Sequence, residues 1–289
     1  MTAGNVTVTT AANFIPEIWS ADVLMAKEAS LVMGNLVVKK YSEEVKSFGD
    51  VIHINYVADL TADNKIADTD IVFSTNTEGK IDLTVNKHKY VGVKIEDIVK
   101  VQSQSDLRKA YTTKIGYALR KAVDTDLLSL YSGCSTTKGY LTSKITLNTI
   151  LDCSQFLDEN EVPDGGRYAV ISAAQKRALL ELPEMIRNDY RGDSQALKTA
   201  QLGSLLGFQF FWTNQVVKTG AGPVISHNLF FHSEAFALVM QTSPRIQSDY
   251  NLHALATEVV GDELYGVGEI RDDSVLGKYA VHVQALDSN

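Results

Sequence analysis

The chain is predicted to adopt an α+β fold, on three observations. Two runs, 48–59 and 80–95, alternate apolar and polar residues with a period of two. Residues 105–131 carry one apolar stripe at helical spacing. From Ile145 onward, strand-like and helix-like stretches alternate, the pattern of an α/β block.

Met1 to Asn13 is a Thr, Val, Ala and Asn segment without period, followed by Phe14-Ile15-Pro16-Glu17-Ile18-Trp19. This reads as an extended arm that anchors through Phe14, Ile18 and Trp19, either on another surface or on its own domain. Ser20 is placed to cap a short helix through Val23, Leu24 and Ala26, with Asp22 near its positive end. Leu36 to Lys40 reads as a short apolar strand. In 48–59, Ile52, Ile54 and Tyr56 share a face opposite His53 and Asn55. In 80–95, Ile81, Leu83 and Val85, then Val91, Val93 and Ile95, continue the alternation. Polar residues 61–77 lie between, so the two runs form a projecting hairpin with a long tip. Such a hairpin is marginal alone and needs a partner surface.

Leu107, Tyr111, Ile115, Leu119, Val123, Leu127 and Leu130 recur at spacings of four and three. They define a helix about 39 Å long, with Ser105 as N-cap, Ser132-Gly133 as terminator, and Arg108, Lys109, Lys114, Arg120 and Lys121 outward. Helix 146–157, turn 163–166, strand 168–171, helix 173–182, loop 188–195, strand 208–212, turn 218–223, strand 229–231 and short helix 233–237 make the α/β block. Strands at 257–265 and 266–271, a turn at 272–274 and a strand at 278–285 follow, with the long helix as their expected partner.

The 289 residues, 45% hydrophobic and 21% charged, suffice for a sizeable core. A net charge of −8 argues against a general nucleic-acid binder but not against a wall that encloses nucleic acid. Cys134 and Cys153 do not make a disulfide framework. No apolar run spans a bilayer, and Met1 to Thr10 has no signal-peptide pattern, so the expectation is a soluble intracellular protein. Phosphate loops, a dinucleotide fingerprint, a nucleophile elbow and a paired-histidine zinc motif are all missing from the sequence. Asp68-Thr69-Asp70 and Asp124-Thr125-Asp126 lack the spacing of a calcium loop and read as structural or solvated. The six histidines read as structural; no catalytic residue, cofactor or metal is assigned.

The order arm, hairpin, long helix, inserted α/β block and returning strands resembles the major capsid proteins of tailed bacteriophages with the HK97-type fold. The resemblance is carried by Phe14–Trp19, Gly49–Ile54, Asp106–Leu130 with Asp124–Leu128 near its end, Tyr168–Ile171 and Val260–Gly266. It implies an N-arm (1–40), an E-loop region (41–95) and a P-domain (96–144) with its spine helix at 105–131. An A-domain (145–240) and returning strands that complete the P-domain (241–289) follow. It implies a subunit that assembles into hexamers and pentamers of an icosahedral shell around double-stranded DNA, without sequence-specific binding and without a membrane. Portal, scaffolding or decoration proteins would be further partners. Assembly would take place in the host cytoplasm, and the product would be the virion. Contacts between subunits are expected at Phe14, Ile18 and Trp19 of the arm, at Lys65, Asp68, Asp70 and Phe73 of the hairpin tip, and at Arg108 and Arg120 of the spine helix.

Some relatives carry a long N-terminal segment that is cleaved on maturation; with Phe14 so early, none is expected in this chain. Some form a covalent Lys–Asn link; Lys65 and Lys80 lie in the hairpin, but no link is assigned. Two other readings compete: an encapsulin-like cellular compartment with a protein cargo, and a soluble α/β enzyme of small oligomeric state.

Overall fold

A computed structural model describes residues 32–43, 50–57, 60, 62–71, 73, 78–96, 107–182, 203–273 and 276–288. β1 (Val51–Val57) pairs antiparallel with β2 (Glu78–Thr84), from Val51 opposite Thr84 to Val57 opposite Glu78. The alternation works as expected at the base of this hairpin. Ile52 and Leu83 are buried there, packed with Ala237, Val239 and Ile270 of the body. β3 (Lys87–Glu96) does not extend the hairpin, although its alternation runs on from β2; it pairs with β11 (Ala256–Glu269) in a different sheet. A period of two specifies a strand with two unlike faces and leaves its partner open.

Residues 36–40 differ from the expected strand. Two 3-10 turns, Met33–Asn35 and Lys40–Glu43, flank a single bridge from Val38 to Ala237. Met33, Leu36 and Val37 are buried, so the apolar run is a packing anchor too short for a ladder.

α1 (Leu107–Leu128) continues into a 3-10 turn, Ser129–Ser132, capped by Gly133. The expected N-cap Ser105 lies outside the described residues. Ile115, Leu119, Val123 and Leu127 are buried along one face. That face lies on β3 and β11, where Ile115 and Leu119 meet Val259, Val91 and Val93. Gly261 allows the close approach: a Cβ there would stand 2.2 Å from Ile115 Cγ2.

β10 (Phe236–Asn251) completes a three-stranded sheet in the order β10-β11-β3. This 16-residue strand has no counterpart in the sequence reading, which expected a short helix at 233–237 where a 3-10 turn, Ser233–Ala235, runs straight into the strand; β11 is one strand where two were expected. Beyond Met240, β10 is an edge strand exposed on both faces, so no apolar alternation marks it. Pro244 is tolerated there because an edge does not need its N–H. The inferred boundary at 240 therefore falls inside a strand.

The α/β block is a seven-stranded sheet, ordered β4-β14-β9-β5-β7-β6 with β8 on β9. Its members are β4 (Thr137–Tyr140), β5 (Arg167–Ile171), β6 (Ser204–Leu205), β7 (Phe208–Trp212), β8 (Lys218–Thr219), β9 (Val224–His232) and β14 (Ala280–Ser288). A two-residue ladder, β12 (Asp272–Asp273) with β13 (Gly277–Lys278), leads into β14. α2 (Leu147–Glu159) starts at Thr146, whose hydroxyl accepts from Thr149 N–H. α3 (Ala173–Leu180) starts at Ser172, which accepts from Gln175 N–H. The main core gathers Phe208, Phe230, Phe231, Phe236, Ile150, Leu157, Val281 and Val283, together with Leu127 and Leu128 of α1.

One correction concerns the chain's end. Residues 278–285 were expected against the long helix, but β14 pairs antiparallel with β9 and parallel with β4. Ala280, Val281 and Val283 are fully buried in the block. The helix takes its partners from β3 and β11 instead.

Candidate inter-subunit surface

The β1–β2 ladder ends at Val57 and Glu78, and the connection between them forms its tip. Leu60, Ile66, Ile71 and Phe73 are exposed on this tip, Phe73 at 90%. The loop has internal order. Lys65 Nζ donates to the carbonyl of Ile66 at 2.8 Å and to that of Thr69. Thr69 Oγ1 donates to Ile66 O at 2.8 Å. Asp68 occupies the left-handed region with φ 59°, which short polar side chains tolerate. Four of the expected contact residues, Lys65, Asp68, Asp70 and Phe73, thus sit together on one exposed loop. Lys65 is turned onto its own backbone, leaving Asp63, Asp68 and Asp70 as exposed charges among the apolar side chains.

Arg120 is exposed on α1 beside Lys121, and its Nε donates to Gly116 O at 3.3 Å. Arg108 lies on α1, but its side chain is outside the described residues. Phe14, Ile18 and Trp19 also lie outside the described residues. A further surface was missed by sequence reasoning: Ile246, Tyr250, Leu252 and Leu255 are exposed toward the tip of the β10–β11 hairpin. Leu252 and Leu255 lie in the turn itself, and the pairing of Asn251 with Ala256 shows that the four share a tip.

The polar groups behind these surfaces are structural ties. Asp124, 3% exposed, accepts from three consecutive backbone N–H groups: Val32 (2.7 Å), Met33 (3.3 Å) and Gly34 (3.0 Å). Burial raises its pKa against the pull of those bonds. Two positions on, Asp126 takes the Tyr265 hydroxyl at 2.8 Å and lies 3.2 Å from Lys87 Nζ. Burial would raise its pKa, but the Tyr265 and Lys87 contacts outweigh it and hold the carboxyl below its usual value. On the other face of the sheet, Arg245 grips Asp262 through Nε (2.8 Å) and Nη2 (2.9 Å). That pairing, aided by His88, holds Asp262 at about 2. The expected structural reading of Asp124 and Asp126 matches these contacts.

His227 and His282 share a hydrogen bond between Nδ1 and Nε2 at 2.9 Å, with Tyr131 stacked on His227 at 4.2 Å. Burial lowers both histidines, His282 to about 4. Their outer nitrogens meet the hydroxyls of Thr219 and Thr137, which orients the rings. Burial pushes the Cys153 thiol up to about 12, and that of Cys134 further still, which disfavours the thiolate in both. Among the described residues, no group of three or more His, Cys, Asp or Glu could hold a metal ion. No described helix is long and apolar enough to cross a membrane.

Comparison with solved structures gives close folds at low identity. A protein of Mycobacterium phage Che8 superposes with TM-score 0.80 at 24% identity, covering 94% of this chain and 97% of that one. The capsid structure of cyanophage P-SCSP1u gives 0.76 at 16% identity, over 100% and 97% of the two chains. The capsid asymmetric unit of cyanophage Pam1 gives 0.75 at 14% identity, over the whole of both chains. No curated protein sequence matches significantly. A family model described as phage capsid protein matches residues 39–276, which include the β1–β2 hairpin, the long helix, most of the seven-stranded sheet and the β10–β11 hairpin. The α+β architecture is therefore a phage capsid fold, and the chain belongs to the phage capsid protein family.

Proposed function

We propose that this chain is the repeating subunit of an icosahedral phage head, assembling into hexamers and pentamers around double-stranded DNA. The observation that carries this reading is the tip of the β1–β2 hairpin. Leu60, Ile66, Ile71 and Phe73 face solvent on a two-stranded projection, which no free-standing domain would keep for its own stability. A second copy can cover that tip. The tip's exposed charges are mainly acidic (Asp63, Asp68, Asp70), and the exposed charges of α1 are basic (Arg120, Lys121). Loop-on-helix contact between neighbours thus joins opposite signs and buries the apolar residues. The arm residues Phe14, Ile18 and Trp19 and the spine residue Arg108 extend the same set of contacts in this proposal. The net charge of −8 suits a wall that does not trap its contents.

The test is deletion of residues 59–78 with a short glycine-serine closure of β1 to β2. The variant is expected to be soluble and folded by circular dichroism but to form no shells by electron microscopy. Normal shells from that variant would overturn the role of the loop.

A further inference from the structure

Glu263 lies on the face of β11 that meets α1, between Gly261 and Tyr265. It is 0% exposed, and among the described residues neither of its carboxylate oxygens has a hydrogen-bond partner. A buried carboxylate without a partner costs several kcal/mol when ionised. Such a group marks a place where a second chemical group is due. Glu263 lines a half-open cleft of about 320 Å³, bordered by Gly34, Asn35 and Lys39, by Val123 and Asp124 of α1, and by Leu238, Met240 and Pro244 of β10. Arg120 also stands on the cleft wall.

The charged groups around Glu263 narrow the choice of partner. Asp126 of α1 repels it. Lys89 of β3 stands opposite it in register, but its ammonium is engaged 3.4 Å from Asp126. Asp124 is spent on the N–H groups of 32–34. Tyr265 gives its hydroxyl to Asp126. Among the described residues, Lys39 reaches Asn35 Oδ1, at 3.4 Å. Among the described residues, Arg120 is held by one 3.3 Å bond to its own helix. Its guanidinium is permanently charged and has donors for both carboxylate oxygens at once.

We propose that Glu263 and Arg120 form a latch: Arg120 enters this cleft, pairs with the Glu263 carboxylate, and draws α1 and residues 34–39 closed over the β10–β11 hairpin. In the open form seen here Glu263 is most comfortable protonated, since burial first and Asp126 second raise it to about 7. In the closed form it is ionised, so rising pH favours closing. Arg120 is one helical turn from Asp124, which grips the backbone of residues 32–34. Closing therefore acts on residues 32–34, which Asp124 holds.

The experiment is the thermal midpoint of the full chain at pH 5.5 and pH 8.5, for wild type, Arg120→Gln, Lys39→Gln and Glu263→Gln. The latch requires Arg120→Gln to lower the midpoint by about 3 °C at pH 8.5 and to leave it unchanged at pH 5.5, where Glu263 is neutral. In the Glu263→Gln background, Arg120→Gln should have the same small effect at both pH values. Arg120 is exposed, so its loss leaves the core intact, and the midpoint is read on the unassembled chain, where its contact with a neighbouring subunit plays no part. An equal effect of Arg120→Gln at the two pH values, or no effect at either, overturns the proposal. The same pattern appearing in Lys39→Gln instead would overturn the assignment of Arg120.

Discussion

Replacing Asp124 with alanine tests how the chain's N-terminal segment is held to the body. The carboxylate accepts three backbone N–H bonds, from Val32, Met33 and Gly34, at 2.7 to 3.3 Å. Charge-assisted bonds contribute about 1.5 to 3 kcal/mol each when their partner is lost. Desolvation of a carboxylate that is 3% exposed takes back several kcal/mol, which is why its pKa is raised and not lowered. Truncation to alanine leaves the three N–H groups without this acceptor, a cost of about 3 kcal/mol, or roughly a hundredfold in the local opening equilibrium. Hydrogen–deuterium exchange reads this directly. Amides 32–34 should lose roughly a hundredfold of protection in Asp124→Ala, while β5 and β9 keep theirs. Asp124→Asn, which retains one carbonyl acceptor, should fall between. Unchanged protection of amides 32–34 in a folded Asp124→Ala protein would refute the account of this carboxylate as the anchor.

Gly261→Val should lift α1 from its sheet, because a Cβ at 261 already meets Ile115 Cγ2 at 2.2 Å. A loss of about 1 to 3 kcal/mol in urea unfolding is expected, and full stability would show that the helix has room to shift. The His227–His282 pair predicts acid sensitivity. Their folded-state values lie below the unfolded 6.5, so the neutral pair contributes stability that is complete above pH 6.5 and is lost as pH falls toward about 4. His282→Gln should flatten the decline in urea midpoint between pH 7 and pH 4.5; an equal decline in both proteins would remove the pair as its cause. Phe73→Ser should leave the thermal midpoint of the unassembled chain unchanged, since the side chain is 90% exposed, and should reduce shell yield. Unchanged yield by sedimentation would show that Phe73 is solvated in the assembled state too.

Local geometry was legible in the sequence wherever a residue's neighbours in the chain are also its neighbours in space. Ile115, Leu119, Val123 and Leu127 announce a helix with one buried face, and α1 buries all four. Ile52 and Leu83 announce a half-buried hairpin, and both are core residues of its base. Thr146 and Ser172 cap α2 and α3 where helical patterns begin. β10 escaped because an edge strand exposed on both faces has no apolar period to read. The candidate site divides the same way: the polar, turn-rich tip with Lys65, Asp68 and Asp70 was visible, and the Ile246–Leu255 tip was not.

The sequence by itself determined the long helix, the strands β1 and β2 with a polar connection between them, and that no familiar catalytic motif is present. Tertiary structure alone decided partnership. It sent β3 away from the hairpin to β11, and it drew β14 out from under the long helix into the seven-stranded sheet. It also brought Asp124 to residues 32–34 and left Glu263 buried without a hydrogen-bond partner among the described residues. Periodicity reports the two faces of an element, which are set within a few residues. The identity of the surface that covers a face is set by contacts between segments up to about two hundred residues apart, and no local pattern encodes them.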